Sequence, residues 1–265
     1  MDFSIEQFKD VACQMEYIKF GDGDKKLVII PGLTVISITR TASLIYDANR
    51  LFAQNGFTVY AFDRRSDVSY PYSVADMAGD TLYVMKKLGL SNCFLYGHSQ
   101  GGMISQHMLL KEPSIFRKAV LSSTVSRLNE NAEKVFRNWI DKAAQHDARS
   151  LYESFIYYFV SDKFAEVIRK AFYEEADTVT DRELDEFIGH VRNMFEFNVK
   201  DSIGRIEAPT LIIGSKKDRV FDIALLQEVA AIKNCESYFY EDGGHCTSLE
   251  YPDFNQRLID FFNKA

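Results

Sequence analysis

The chain has 265 residues and a formal net charge of −7, with 46% hydrophobic and 26% charged residues. That is ordinary globular composition, enough for one domain with a full core or one domain carrying a large insertion. The acidic balance, with no dense Lys/Arg run, weighs against a nucleic-acid partner, and no segment approaches the roughly 18 consecutive apolar residues of a membrane span. The opening Met1-Asp2-Phe3-Ser4-Ile5-Glu6 lacks the basic and apolar regions of a signal peptide, so a cytoplasmic protein is expected.

Strand-length apolar, β-branched and aromatic runs recur along the chain: Leu27 to Ile30, Thr58 to Phe62, Cys93 to Tyr96, Lys118 to Leu121, Thr210 to Ile213 and Ser237 to Tyr240. They are near-continuous rather than alternating, as parallel strands covered on both faces require. Helical periods fall between them. Leu44, Ala48, Leu51 and Phe52 share one face, with Gly56 just beyond. Val74, Met77, Ala78, Thr81, Leu82 and Met85 share another, and Gly89 is placed to end that helix as a left-handed cap. Phe254, Leu258, Phe261 and Phe262 follow i, i+4, i+7, i+8 in a final amphipathic helix. Strand alternating with helix predicts an α/β fold with a mainly parallel central sheet and helices on both faces.

The alternation breaks between about Thr124 and Ile206, a stretch with no clear strand, many helix formers and thirteen aromatic residues. We expect a helical cap at 124–206 set into a core domain made of 1–123 and 207–265. Most of its aromatics must form the insertion's own core. A few are expected to line a pocket at the C-terminal ends of the strands, where α/β ligands bind.

Ser99 lies in Leu95-Tyr96-Gly97-His98-Ser99-Gln100-Gly101-Gly102, between a strand run and a helix run. This is a G-x-S-x-G nucleophile elbow, a sharp turn that lifts the serine hydroxyl clear of the sheet. A serine is a poor nucleophile at neutral pH and needs a base. Of five histidines, His98 is inside the elbow and reads as a supporting residue pointing away from the hydroxyl. His107 reads as a packing residue, and His146 and His190 read as solvated surface residues. His245 differs, because Glu241-Asp242-Gly243-Gly244-His245 is a tight loop after the last strand. Asp218 follows the strand Thr210 to Ile213 and is the candidate to hold that base in its tautomer. Asp222, four residues on, and Asp201, which precedes the strand, are the less favoured carboxylates. The oxyanion of acyl transfer also needs donors. The backbone N–H of Gln100 is one candidate, and the N–H of Leu33, after Pro31-Gly32, is the other.

The chain resembles the α/β-hydrolase fold family, serine hydrolases with a helical lid or cap. The resemblance runs over essentially the whole length, carried by the Gly97 to Gly101 elbow, the Asp218 loop and the Gly244-His245 loop in the order serine, aspartate, histidine. Ser73 to Asp80, leading to Leu88-Gly89-Leu90, also resembles the family's helix before the nucleophile strand. Three positions depart from the pattern. Pro31-Gly32 stands for the usual His-Gly, the run Asp63-Arg64-Arg65-Ser66-Asp67 lacks the common glycines, and the acid loop carries an extra residue before Asp218 and lacks the usual proline after it.

The resemblance implies a serine hydrolase acting through an acyl-enzyme on a carboxylic ester or related acyl bond of a small-molecule substrate. The fold and triad also serve peptidases, lactonases, acyltransferases and carbon–carbon bond hydrolases, and a non-catalytic ligand-binding member is the alternative of a different class. Cys13, Cys93, Cys235 and Cys246 show neither C-x-x-C spacing nor a paired pattern. Cys93 reads as a buried inert thiol and Cys246, next to His245, as a small packing residue. No cofactor and no metal are expected.

Overall fold

The computed structural model describes residues 2–65, 68 and 71–264; Ser66 and Asp67 of the run Asp63 to Asp67 lie outside them. Its eight strands are β1 (Phe3–Lys9), β2 (Gln14–Phe20), β3 (Lys25–Ile30), β4 (Phe57–Arg65), β5 (Cys93–His98), β6 (Phe116–Ser122), β7 (Thr210–Ser215) and β8 (Cys235–Tyr240). They form one sheet in the order β1-β2-β4-β3-β5-β6-β7-β8. The pairs β1–β2 and β2–β4 are antiparallel, and every pair from β4–β3 to β7–β8 is parallel.

Strands β1 and β2 are additions to the expected set, because neither is the continuous apolar run of a doubly covered strand: β1 is an edge strand of exposed and half-buried residues, with Ile5 in solvent. An edge hairpin needs only one apolar face. The Asp10 carboxylate holds its turn by accepting the amides of Ala12 and Cys13 at 2.8 and 3.0 Å.

Around the sheet lie α1 (Ala42–Gln54), α2 (Val74–Lys87), α3 (Gln100–Lys111), α4 (Glu130–Ala144), α5 (Ala148–Phe159), α6 (Asp162–Ala176), α7 (Asp181–Arg192), α8 (Ile223–Glu228), α9 (Thr247–Glu250) and α10 (Phe254–Asn263). The strands feed two cores because successive side chains point to opposite faces. Leu27, Ile29, Phe94, Tyr96 and Val120 join α1 and α10 on one face. Val28, Ile30, Leu95, Ala119 and Leu121 join α2 and α3 on the other, and α4, α5 and α7 extend that second core. Ser73 opens α2 with a capping box to Asp76. At its far end Gly89 takes φ +67° and the Leu90 amide returns to the Met85 carbonyl, the left-handed cap expected from the sequence.

The helices α4 to α7 occupy the interval between β6 and β7, and a single antiparallel bridge, Arg127 to Asn198, joins the two ends of that interval. Among the described residues no helix is long and apolar enough to cross a membrane.

Candidate active site

Parallel strands present their C-terminal ends along one edge, and the loops that leave β3, β5, β7 and β8 therefore meet there. At the end of β5, Ser99 adopts φ +52°, a left-handed conformation a non-glycine residue rarely takes. The turn survives because its surroundings hold it. The Ser99 amide donates to the Ser122 carbonyl at 2.9 Å, and the Ser99 carbonyl accepts from the Thr124 hydroxyl at 2.8 Å. The flanking glycines are required by close approach: a Cβ on Gly97 would sit 2.3 Å from Ser105 Oγ, and one on Gly101 2.0 Å from the Ile30 carbonyl.

The loop after β8 brings His245 over this turn. Its Nε2 lies 2.8 Å from Ser99 Oγ, and its Nδ1 lies 2.8 Å from Asp218 Oδ2. His245 is 2% exposed and packs against the rings of Phe159, Phe221 and His98. The other Asp218 oxygen, Oδ1, accepts the amides of Val220 and Phe221 at 2.8 and 3.0 Å. Asp218 is thus oriented by its own loop before it meets the imidazole. Asp222 is turned to other work: it caps α8 through the Leu225 amide and accepts from Asn129.

Gln100 is the first residue of α3, and Leu33 follows Pro31-Gly32 at the end of β3. The two segments are tied together by a side chain the sequence reading did not single out. Arg64, at the end of β4, donates through Nη2 to the carbonyls of Pro31 (2.7 Å) and Gly32 (3.1 Å). It also donates to Gln100 Oε1, at 2.9 Å from Nη2 and 3.2 Å from Nε. Gln100 Nε2 in turn donates to the His190 carbonyl at 3.0 Å. Asp63 beside it accepts from the Ser37 hydroxyl and the Ile38 amide. Burial pushes the Asp63 carboxyl above its usual range, against the pull of these donors.

His190 corrects the expectation of a solvated surface residue. Its ring lines a small polar cavity with Arg64 and Gln100, its Nδ1 is buried without a partner among the described residues, and burial lowers its pKa to about 4. His146 does lie at the surface, beside Asp181 and Asp185, and His107 packs edge-on to Phe197. His98 forms part of the cavity wall next to Ser99. Burial and the neighbouring His245 lower its pKa to about 3, so its ring stays neutral. Cys246 Sγ stands 3.7 Å from His98 Nε2, and burial together with the charge of Asp218 pushes its thiol up, which keeps it protonated and unreactive.

Ser99, His98, His245 and Cys246 open into a cavity of about 310 Å³. Its other walls come from the loop Gly32 to Val35 and from α4, α5 and α6, with Phe136, Trp139, Tyr152, Phe155, Phe159 and Phe172 facing it. Among the described residues no group of three His, Cys, Asp or Glu side chains is placed to hold a metal ion.

A mainly parallel sheet with a strained serine elbow at its C-terminal edge defines a class of fold, and comparison with known proteins places the chain within it. The sequence model of the alpha/beta hydrolase fold matches residues 26–252, and the chain belongs to that family. It is 26% identical over 202 residues to "Putative carbamate hydrolase RutD" of Pseudomonas savastanoi pv. phaseolicola, covering 75% of this chain and 78% of that one. It is 24% identical over 261 residues to mouse serine hydrolase BPHL, covering 94% and 82%. Among solved structures, MGS-M2, an alpha/beta hydrolase enzyme from a deep-sea metagenome library, superposes with a TM-score of 0.87 at 18% identity, covering 98% of both chains. The enol-lactonase of Burkholderia xenovorans LB400 superposes with a TM-score of 0.85 at 16% identity, covering 98% of this chain and 100% of that one.

Proposed function

We propose that this protein is a serine hydrolase that cleaves a carboxylic ester or related acyl bond of a small, largely apolar substrate. The observation that carries the reading is the continuous line of contacts from Asp218 Oδ2 through His245 to Ser99 Oγ, two spans of 2.8 Å, opening into an aromatic-walled cavity. In this reading Ser99 Oγ attacks the substrate carbonyl while His245 Nε2 takes its proton. Asp218 keeps the Nδ1 proton in place and stabilises the imidazolium as it forms. The tetrahedral oxyanion is met by the backbone N–H groups of Leu33 and Gln100. Collapse expels the leaving group, which receives the proton from His245 Nε2. Water then attacks the acyl-enzyme with the same histidine as base, and the acid leaves.

In the same reading the helices of 124–206 act as a cap. Their aromatic side chains take up the apolar part of the substrate, with desolvation supplying most of the affinity. The curated relatives named for carbamate hydrolysis fit the same chemistry, since a carbamate also presents a carbonyl to the serine. The breadth of the aromatic wall favours a longer apolar group than a bare carbamate offers. Turnover of p-nitrophenyl esters by the wild-type protein and its loss in Ser99→Ala test the reading; a Ser99→Ala protein that turns over near the wild-type rate would sink it.

A further inference from the structure

Among the described residues, the cavity over Ser99 is lined by one carboxylate, Glu175, with no ion-pair partner of opposite charge. Glu175 is the penultimate residue of α6, whose last turn carries no basic residue. Negative charge is disfavoured there, because a helix C-terminus is the negative end of its dipole. Its acidic neighbours are neutralised: Glu174 lies 3.7 Å from Lys170 and Asp177 lies 2.6 Å from Arg149. Arg40, whose charge reaches the adjoining Tyr152, is committed to Glu183 and to the carbonyl and hydroxyl of Thr178. Among the described residues Glu175 forms no ion pair. Its Oε1 accepts the Tyr152 hydroxyl at 2.6 Å, and its Oε2 has no partner there.

The carboxylate is set among aromatic side chains. Phe172 lies three residues before it on α6, hence on the same face, and Tyr152 packs against Phe155 and Phe172 with ring centroids 5.4 and 6.0 Å away. Burial and the charge of Glu175 hold the Tyr152 phenol well above its usual pKa, so it remains a neutral donor. A carboxylate without a cation, bordered by aromatic rings, recognises an organic cation by Coulomb attraction at one point and ring quadrupoles around it.

We propose that the ligand of this cavity is an apolar chain ending in a protonated amine, its ammonium held by Glu175 and the rings of Tyr152 and Phe172. The proposal rests on the acyl-hydrolase reading only for where the scissile bond lies; the preference for a cationic end is a property of the cavity itself.

Trp139 is the chain's single tryptophan and lines the cavity, so its emission reports occupancy. The wild-type protein is titrated with n-hexylammonium, n-hexanol and hexanoate. The ammonium should bind at least about tenfold more tightly than the alcohol, a difference of ~1.4 kcal/mol, and hexanoate should bind most weakly. In Glu175→Gln, which still offers Tyr152 an acceptor, the advantage of the ammonium over the alcohol should vanish. Equal binding of the three ligands by the wild type overturns the proposal. So does the absence of a saturable emission change with the ammonium, or an ammonium advantage that survives in Glu175→Gln. The wild-type series stands without the variant, so a poorly folded Glu175→Gln protein would not shelter the idea. Failure of the acyl-hydrolase reading shows separately, as no turnover of p-nitrophenyl hexanoate by the wild type.

Discussion

Asp218→Asn isolates the tautomer of His245 while leaving the shape of the site intact. The Asp218 Oδ1 atom accepts two backbone amides, from Val220 and Phe221. An asparagine must keep its oxygen on that side, because an NH₂ group facing two N–H donors would lose both bonds. Its Nδ2 donors then face His245 Nδ1, now 2.8 Å from Oδ2. The ring can meet a donor there only by carrying its own proton on Nε2, which points at Ser99 and cannot accept the serine proton. The expected loss is on the order of 10⁴ in kcat, about 5.5 kcal/mol of transition-state stabilisation, with KM little changed. Steady-state hydrolysis of a p-nitrophenyl ester measures it, and the unfolding midpoint verifies that the isosteric change leaves the fold in place. Asp222→Asn is the paired control. Asparagine caps a helix as well as aspartate, so α8 and the activity should both persist. An Asp218→Asn enzyme within tenfold of wild type, or a larger loss in Asp222→Asn, would refute the assignment of the carboxylate.

Arg64→Met removes the donors shared by the Pro31 and Gly32 carbonyls and the Gln100 side chain. It should lower kcat by about 10² through misplaced oxyanion donors while moving KM little. Arg64→Lys should recover only part, since an ammonium cannot reproduce the fork, and an unchanged kcat in Arg64→Met would contradict the positioning role. His98 and His190 stay neutral down to about 3 and about 4, whereas an unfolded imidazole takes up its proton near pH ~6.5. The unfolded chain thus binds protons the folded one refuses. Their contribution to stability is full above pH ~6.5 and falls by about 1.4 kcal/mol per pH unit per ring as the pH drops toward 4. Urea unfolding at pH 7 and pH 5 checks this, with His190→Gln expected to flatten the decline. Along a series of unsubstituted p-nitrophenyl esters, kcat/KM should climb with acyl length until the cavity is full and then fall. A flat profile would mean that the aromatic wall does not receive the acyl chain.

Much of the architecture was legible because parallel strands announce themselves. Runs such as Leu27 to Ile30 and Cys93 to Tyr96 are apolar at every position, since both faces of the sheet are covered. Ser99, Asp218 and His245 were legible as candidates for a related reason. Ser99 and Asp218 come soon after such runs and His245 soon after the half-exposed edge strand β8, and the strand-end edge gathers their loops whatever the chain between them does. The hairpin of β1 and β2 escaped because an edge strand may carry Gln7 and Lys9 on its open face. Arg64, the side chain of Gln100 and Glu175 escaped for a different reason. Their partners lie far away in sequence, 36 residues for Arg64 and Gln100 and 23 for Glu175 and Tyr152, and a single polar side chain leaves no periodic trace. His190 looked solvated on a helix of polar residues, yet its side chain turns toward Arg64 and the sheet. Glu175 did carry one signal, a run of acidic residues at a helix C-terminus where charge of that sign is unfavourable.

Activation of the Ser99 hydroxyl by His245 is open to one decisive measurement, reaction with a fluorophosphonate followed by peptide mass spectrometry. Only an activated serine displaces the fluoride and keeps the phosphonyl group. One adduct is expected, on the peptide containing Ser99, formed in step with loss of esterase turnover. It should be absent from Ser99→Ala and strongly slowed in His245→Ala. A folded wild-type protein that stays unlabelled, or one labelled at a serine other than Ser99, would contradict it.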